Sequence, residues 1–477
     1  MSSAERDLQA GRILGAWRGG AAGFLGIPYG RPLTGEARFA PPDTDVGWEG
    51  VFDATAFGPS PPQAPAPPVP EGADPDDYLR INVWTPDPDA SGLPVIVYFH
   101  GGGYVTGSSA DPSFDGTALA RDENLVIVSM NHRLGMDGFA LVDGAPANRG
   151  LLDQAAALRW VRDNVAAFGG DPGNVTLYGQ SAGAGCVAAL VTMPWMRGLF
   201  RRVILSSLPN AYQSPERARQ VASDVATRAG TRPTAADLAR VPVDVLVTAV
   251  AEGLARNGPA PVVDGEVLLT DPWTAFGDGL LDDVPMMIGH TADEYRLFVA
   301  RGGLLGRVST VEADHALKAL APGSPDAYRT AYPDASCEEL YDLVVGDALF
   351  RMGTYRLAEL HEGTTFLYEL TFTVPAYGGR LGAPHSSDLP LVFDVFDEGV
   401  GAELYGGDPS AEARELGVEM RRAWGDFARG GDPGWLPFDQ DRRLTRVFDD
   451  QLSEVRYPEE ASRRIWAEHR FGPLPAI

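Results

Sequence analysis

The chain has 477 residues, of which 44% are apolar and 22% are charged, and its net charge at pH 7 is −26. This length and composition predict a large buried core and exclude a disordered chain. The excess of acidic residues would repel nucleic acids and anionic membranes, so neither is an expected partner. The sequence contains no apolar run of about 18 residues that could cross a bilayer.

Cys186 and Cys337 are the only cysteines. They are too few for a disulfide framework and too far apart in the chain to indicate a metal motif. The first residues, MSSAERDLQAGRILGAW, lack the basic and apolar regions of a signal peptide. We therefore expect a soluble cytoplasmic protein.

Most of the predicted strands lie in the first 180 residues. Short apolar runs before residue 60 indicate strands at a sheet edge, and the proline-rich segment 59–70 predicts a loop. Later apolar runs show little polar alternation, which is typical of strands covered on both faces. These runs are LRINVW (79–84), PVIVYF (94–99), LVIVSM (125–130), NVTLYG (174–179) and VPMMIG (284–289).

Helices separate the later strands. Apolar residues three or four apart predict a helix from about Asn148 to Phe168, stopped by Gly169 and Gly170. Another amphipathic helix is predicted before Gly430 and Gly431. Strands alternating with helices predict an α/β fold with a mostly parallel central sheet and helices on both faces. We expect a single domain over residues 1–477, with helical insertions within 211–280 and 300–380 that roof the site.

A candidate nucleophile lies in GQSAG (179–183), which matches the G-x-S-x-G turn around a reactive serine. The motif follows the predicted strand NVTLYG and opens an apolar helix, which is the strand–turn–helix setting it needs. Gly179 and Gly183 would leave room where so sharp a turn brings its two ends together. The alternative is an ordinary serine that caps a helix.

A glycine-rich loop, HGGGY (100–104), follows the predicted strand PVIVYF. Backbone N–H groups of Gly102 and Gly103, together with that of Ala182, could stabilise the oxyanion of a tetrahedral intermediate. A flexible turn or a phosphate-binding loop is the alternative interpretation. A phosphate loop would end in Gly-Lys-Ser/Thr or lead directly into a helix, whereas Tyr104 and TGSS follow here.

Over residues 24–437 the sequence resembles the type-B carboxylesterase family, which includes the para-nitrobenzyl esterases and cholinesterases and has the α/β-hydrolase fold. The similarity is carried by GIPYG, RFAPP, LRINVWTP, VIVYFHGGGYVTGS, NHRLG and, most densely, NRGLLDQAAALRWVRDNVAAFGGDPGNVTLYGQSAGA. GHTADE, PHSSDLPLVF and WGDFARGGDP follow later in the chain.

The resemblance implies a catalytic triad of Ser181, Glu294 and His385. The order serine, acid, histidine is also the one this fold requires. Among the histidines beyond the acid, His385 lies in a polar loop before LPLVF, whereas His315 and His361 have helix-like surroundings. Asp293 is an alternative acid, and Asp388 is expected to anchor the histidine loop.

Several positions depart from the family pattern. Gln180 replaces the glutamate before the serine, which removes a negative charge but leaves a polar group that could support the site. Tyr295 replaces the glycine after the acid, and Tyr78 stands where eukaryotic members have a cysteine. No tryptophan lies between Trp48 and Trp84, so a cation-stacking indole, and with it a choline ester substrate, is not expected.

The predicted reaction is hydrolysis of small-molecule carboxylic esters through an acyl-enzyme, without a metal or an organic cofactor. Hydrolysis of an amide, carbamate or thioester, or acyl transfer to an acceptor other than water, needs the same triad and remains an alternative. A binding module without catalysis is the alternative outside enzymes. The intact Ser181, Glu294 and His385 argue against it.

Overall fold

The computed structural model describes residues 3–253 and 258–475. Thirteen strands of these residues form one sheet. They are β1 (Ser3–Leu8), β2 (Gly11–Arg18), β3 (Ala21–Pro28), β4 (Val51–Asp53), β5 (Arg80–Thr85), β6 (Leu93–Phe99), β7 (Val126–Met130), β8 (Gly170–Gln180), β9 (Arg202–Ser206), β10 (Met286–Thr291), β11 (Thr365–Leu370), β12 (Leu444–Phe448) and β13 (Ser453–Arg456).

The α-helices of the described residues lie between and after these strands. They are α1 (Thr117–Glu123), α2 (Gly135–Phe139), α3 (Arg149–Asn164), α4 (Ala182–Thr192), α5 (Pro215–Arg228), α6 (Ala235–Leu238), α7 (Val243–Gly253), α8 (Pro272–Gly277), α9 (Arg296–Arg301), α10 (Thr310–Leu320), α11 (Asp326–Ala331), α12 (Cys337–Gly346), α13 (Met352–Leu360), α14 (Asp388–Phe393), α15 (Gly399–Tyr405), α16 (Ala411–Gly430) and α17 (Glu460–Trp466). A π-helical turn, Asp347–Arg351, joins α12 to α13.

The sheet is parallel through its centre and antiparallel toward its edges. Its strand order is β1-β2-β3-β5-β7-β6-β8-β9-β10-β11-β12-β13, with β4 paired to β2. Neighbours from β7 to β12 run parallel. The pairs that involve β1, β2, β3 and β5 along this order are antiparallel, as is β12 with β13. The predicted α/β class and mostly parallel sheet are confirmed.

Strand β6 shows why the central runs are apolar throughout. Val95, Val97 and Phe99 pack into the core on one face of the sheet, and Ile96 and Tyr98 pack into the core on the other. Successive side chains of a strand point to opposite faces, so a strand covered on both sides must be apolar at every position. Helices α3 and α4 cover the first face, and α16 covers the second.

The predicted strands agree with β5, β6, β7, β8 and β10 to within a few residues. The long predicted helix is α3 followed by a 3₁₀ turn, Val165–Phe168, which ends at Gly169 with φ 84°. Strand β11 lies within 300–380, where the sequence analysis named no strand. Helices α5–α8 and α10–α13 do fall within the ranges assigned to insertions, whose role as a roof stays a prediction.

Among the residues of the described ranges, no helix is long and apolar enough to cross a membrane.

A buried ion pair ties the end of β7 to α3. Asp153 Oδ1 lies 2.6 Å from Arg133 Nη2. Asp153 Oδ2 lies 2.8 Å from Arg133 Nε and also accepts the Arg133 backbone N–H at 2.9 Å. Both side chains are fully buried. These residues belong to the NHRLG and LLDQ segments, so the structure gives those segments a physical role.

Replacing Asp153 with alanine would leave the Arg133 charge buried without its anion. We expect Asp153→Ala to lower the free energy of unfolding by about 3–5 kcal/mol, measured by urea denaturation. The matched control is Asp45→Ala, because Asp45 pairs with Arg31 but is 90% exposed. Its expected loss is below about 1 kcal/mol. Equal losses in the two variants would contradict the role given to the buried pair.

Candidate active site

Ser181 occupies a sharp turn between the end of β8 and the start of α4. Its backbone has φ 56° and ψ −128°, an unusual conformation for a residue with a side chain. The Ser181 N–H donates to the Ser206 carbonyl on the neighbouring strand β9 at 2.9 Å. The side chain makes no capping hydrogen bond to α4. The alternative of an ordinary helix-capping serine is therefore wrong.

Gly179 and Gly183 of the G-x-S-x-G motif lie where the surrounding atoms leave no room for a side chain. A Cβ on Gly179 would overlap the backbone of Gly183 and Ala184, and a Cβ on Gly183 would overlap the Phe99 carbonyl at the end of β6. The turn therefore brings its two ends together, as the sequence predicted. Strained backbone of this kind persists only where the surrounding structure fixes it.

The loop Gly101–Gly103 follows β6 and lies against the turn. A Cβ built on Gly101 would be 3.1 Å from Ser181 Cβ. Gly102 and Gly103 have φ values of 113° and 61°, which favour glycine. Their N–H groups donate to no residue in the described ranges. The Ala182 N–H begins α4, where the first N–H groups lack helical partners. No helix follows the loop directly, unlike a phosphate-binding loop.

Glu294 and His385 form a close pair. Glu294 Oε2 lies 2.5 Å from His385 Nδ1, and the two residues are 1% and 3% exposed. The second carboxylate oxygen, Oε1, accepts from Ser207 Oγ at 2.6 Å and from the Thr291 N–H at 2.9 Å. Both oxygens of the acid are therefore occupied, and its orientation toward the imidazole is fixed.

The pKa of Glu294 has opposing causes. Burial raises the pKa. The proximity of His385 and the hydrogen bonds from His385, Ser207 and Thr291 together lower it by more than burial raises it, so the net pKa lies below the ordinary value. Glu294 is therefore an anion near neutral pH. An anion at this position stabilises a positive charge on His385.

Asp293, the other candidate acid, has different partners. Its Oδ2 accepts the Ala383 N–H at 2.9 Å, and its Oδ1 lies 3.0 Å from Arg296 Nη2. The backbone N–H of Asp293 donates to the Ala383 carbonyl. Asp293 therefore holds the backbone just before His385, while Glu294 contacts the ring.

The other histidines considered as bases lie in different settings. His315 is exposed on α10. His361 is bonded through Nδ1 to Thr365 Oγ1 at 2.7 Å and through Nε2 to the Leu281 carbonyl at 2.9 Å. His469 packs against Trp466 near the end of the described chain.

Three further side chains contact His385, and sequence reasoning gave only one of them a role. Gln180 Nε2 lies 3.2 Å from His385 Nε2 and 3.1 Å from Ser386 Oγ. The rings of Phe350 and Phe298 lie 4.4 and 5.3 Å from the imidazole centroid. Phe350 projects from the π-helical turn. No sequence pattern identified it.

Tyr295 follows the acid directly. Its φ of −98° and ψ of −8° are accessible to any residue, so a glycine is not required here. The Tyr295 ring stacks on Phe298 at 5.2 Å and also contacts Tyr341. This departure from the family pattern thus extends the aromatic cluster beside His385.

Asp388 was expected to anchor the histidine loop, and its contacts do not support that expectation. It is 1% exposed, and no described residue makes a full-geometry hydrogen bond to either carboxylate oxygen, although Ser206 is close enough to favour the anion. Burial raises its pKa to about 6, with Glu294 adding to the rise and His385 opposing it. The loop is held by Asp293 instead.

A groove of about 630 Å³ opens beside the serine turn. Its lining includes Gly101, Gly102, Gln180 and Ser386 from the site, and Pro67, Pro68 and Pro70 from the proline-rich loop. These prolines come from the segment before β5, to which the sequence assigned only a loop. Of the predicted roof residues, Arg301 lines the groove.

The sequence pattern of the Carboxylesterase family matches residues 2–455. The chain belongs to the carboxylesterase family. It is 32% identical to a para-nitrobenzyl esterase of Bacillus subtilis (strain 168), over 96% of this chain and 97% of that one. It is 34% identical to a phenmedipham hydrolase of Pseudarthrobacter oxydans, over 94% and 95% of the two chains.

Solved structures agree with this assignment. The carboxylesterase Est55 of Geobacillus stearothermophilus superposes with a TM-score of 0.87 at 32% identity, covering 97% of this chain and 99% of that one. A para-nitrobenzyl esterase gives a TM-score of 0.85 at 31% identity, over 97% and 99% of the chains. This carboxylesterase therefore has the α/β-hydrolase fold and is a serine hydrolase of small-molecule carboxylic esters.

The raised pKa of Asp388 predicts a pH-dependent loss of stability. The folded state holds this proton up to about pH 6, whereas the unfolded chain releases it near its ordinary value of 3.8, so folding becomes less favourable as the pH rises between these values. Asp388→Asn removes the charge. The free energy of unfolding of Asp388→Asn minus that of wild type should be about 1 kcal/mol larger at pH 7.5 than at pH 5.

Urea denaturation at the two pH values measures this difference. Asp408→Asn is the control, because the Asp408 side chain is 97% exposed. A pH-independent difference between Asp388→Asn and wild type would contradict the prediction.

Proposed function

We propose that Ser181 is the nucleophile of ester hydrolysis, His385 the general base and Glu294 the acid that orients the base. The observation that carries this proposal is the buried Glu294–His385 pair beside the strained serine turn. Glu294 accepts a hydrogen bond from His385 Nδ1–H. Nε2 is therefore the ring nitrogen that is left to accept a proton. The chain order serine, acid, histidine is the one used by this fold.

The reaction has two steps. His385 Nε2 takes the hydroxyl proton as Ser181 Oγ attacks the ester carbonyl carbon, and the tetrahedral intermediate then expels the alcohol, which receives that proton. A water molecule attacks the acyl-enzyme with His385 again as base, and the acid product leaves. Glu294 stays ionised throughout and stabilises the imidazolium that forms twice.

The N–H groups of Gly102, Gly103 and Ala182 are proposed to stabilise the oxyanion. The first two donate to no described residue, and the third begins a helix, so all three are available to a ligand oxygen. Each such donor contributes about 3–4 kcal/mol to transition-state stabilisation in serine hydrolases. Gly102 and Gly103 adopt positive φ values that residues with a side chain rarely take, which supports a loop shaped for this purpose.

Neutral, largely apolar esters are the proposed substrates. The groove beside Gln180 and Ser386 includes apolar wall residues such as Phe57, Phe114 and Leu389. The net charge of −26 would slow the approach of anionic esters. The para-nitrobenzyl esterase relative supports aromatic esters as the first substrates to test.

We further propose that the protein acts in the cytoplasm, without a metal or organic cofactor and without a nucleic acid partner. The small number of cysteines supports a reducing compartment, and the acidic surface opposes binding to a polyanion.

The first experiment is hydrolysis of p-nitrophenyl acetate and butyrate by wild type and by Ser181→Ala, with and without a serine-directed organophosphate. We expect turnover by the wild type that is lost on titration with one equivalent of inhibitor. Ser181→Ala should be at least about 10³-fold slower. Its near-isosteric side chain should leave the unfolding midpoint close to that of wild type.

Two outcomes would contradict the proposal. Full activity of Ser181→Ala would remove the serine from the mechanism. A higher kcat/KM for a matched amide or carbamate than for the ester would replace esters as the preferred substrate.

A second prediction separates the two neighbouring acids. Glu294→Gln keeps the shape of the acid but removes its charge from the imidazole, so kcat/KM should fall by about 10³–10⁴-fold. Asp293→Asn retains an oxygen for the Ala383 N–H and should lower it by less than about tenfold. Steady-state kinetics of the two variants decides between the acids, and the reverse order of losses would assign the role to Asp293.

A further inference from the structure

The Gln180 side chain packs between the loop of the proposed oxyanion hole and the loop that carries His385. It is the last residue of β8 and is 2% exposed. Its Nε2 lies 3.2 Å from His385 Nε2 and 3.1 Å from Ser386 Oγ. On the other side, a Cβ on Gly101 would be 2.9 Å from Gln180 Oε1. The amide is therefore confined by both loops.

The chemistry of the pair fixes which atom donates. His385 Nδ1–H donates a hydrogen bond to Glu294 Oε2 at 2.5 Å, so Nε2 of the neutral ring carries a lone pair and can only accept. The Gln180 amide N–H is the donor to that lone pair. Ser181 Oγ has no hydrogen-bond partner among the described residues. The basic atom of the site is thus occupied by the residue before the nucleophile.

We propose that Gln180 is a positioning residue that holds the neutral His385 ring through Nε2 in the free enzyme and yields this position to Ser181 Oγ when acyl transfer begins. The inference rests on the proposed function of His385 as the base. It assigns to Gln180 a direct hydrogen bond to the base, rather than general polarity near the serine.

The hydrogen bond has a direction, and this gives the proposal a measurable consequence. An N–H group directed at Nε2 stabilises the neutral imidazole and conflicts with a proton on Nε2. A carboxylate at the same position would do the reverse, because it could accept a hydrogen bond only from the imidazolium. A thioether side chain of similar length would favour neither state.

The other groups that face His385 do not change between these variants. Glu294 contacts Nδ1, and Asp388 from the start of α14 acts through space. Phe298 from α9 and Phe350 from the π-helical turn contribute uncharged rings. A change in the protonation of His385 between the variants is therefore attributable to position 180.

The test uses Gln180→Glu and Gln180→Met. The pH profile of kcat/KM reports protonation of the free enzyme, and its acid limb marks the loss of the neutral base. We expect the midpoint of that limb to move upward by about 1–2 pH units in Gln180→Glu. In Gln180→Met it should move upward by about 0.5–1 unit, the equivalent of one lost hydrogen bond of about 1 kcal/mol.

Gln440→Glu is the matched control for added charge, because Gln440 is exposed and its side-chain amide donates to the Glu359 carbonyl, far from the site in the chain. Its acid limb should stay within about 0.2 units of wild type, since an exposed, screened charge has little effect at a distance. Gln180→Glu is nearly isosteric with the wild type and keeps the test valid if Gln180→Met fails to fold.

A readout independent of turnover is the NMR titration of the His385 Cε1–H resonance, assigned by its loss in His385→Gln. Its midpoint should shift in the same order as the kinetic limb. Midpoints of both Gln180 variants within about 0.2 units of wild type, or a loss of kcat/KM at all pH values without a shift, would overturn the positioning role. NMR shifts in a protein that hydrolyses no ester would instead overturn the proposed function and leave the contact between Gln180 and His385 intact.

Discussion

The backbone conformation of Ser181 is the constraint on which the rest of the site depends. At φ 56° and ψ −128° the serine projects from a turn so tight that Gly179 and Gly183 leave no room for a Cβ. The turn is held by the central parallel strands, since the Ser181 N–H bonds to β9 and Gly183 packs on the end of β6. The long apolar strands therefore fix the geometry of the serine turn, because they supply the rigidity that keeps the turn strained.

Two buried carboxylates near His385 show how contacts decide the role of a residue. Glu294 has hydrogen bonds to both oxygens, which outweigh burial and lower its pKa. Asp388 is equally buried but makes no full-geometry hydrogen bond to a described residue, and burial raises its pKa to about 6. The first is maintained as an anion facing the His385 imidazole. The second lacks such hydrogen bonds, and burial disfavours its charged form.

Sequence reasoning succeeded where the signal is local. The apolar runs gave the central strands, and the G-x-S-x-G and HGGG motifs marked turns whose glycines are needed at known positions. Strand β9 was missed, although RVILS (202–206) is β-rich, and with it Ser207, which follows that strand and bonds to Glu294. Phe350 could not be found from a pattern, because it reaches His385 from a π-helical turn far away in the chain. Contacts of this kind depend on how distant segments pack.

The two departures from the family pattern nearest Ser181 and Glu294 both contact the surroundings of His385. Gln180 contacts Nε2 directly, while Tyr295 stacks on Phe298, whose ring in turn packs beside the imidazole. Neither changes the serine turn, the glycine loop or the Glu294 contact. Nucleophile geometry tolerates little change, since a single added carbon at Gly183 would overlap a strand. The surroundings of the imidazole can vary, because a single hydrogen bond or ring contact there contributes only about 1 kcal/mol and does not displace the backbone of the turn.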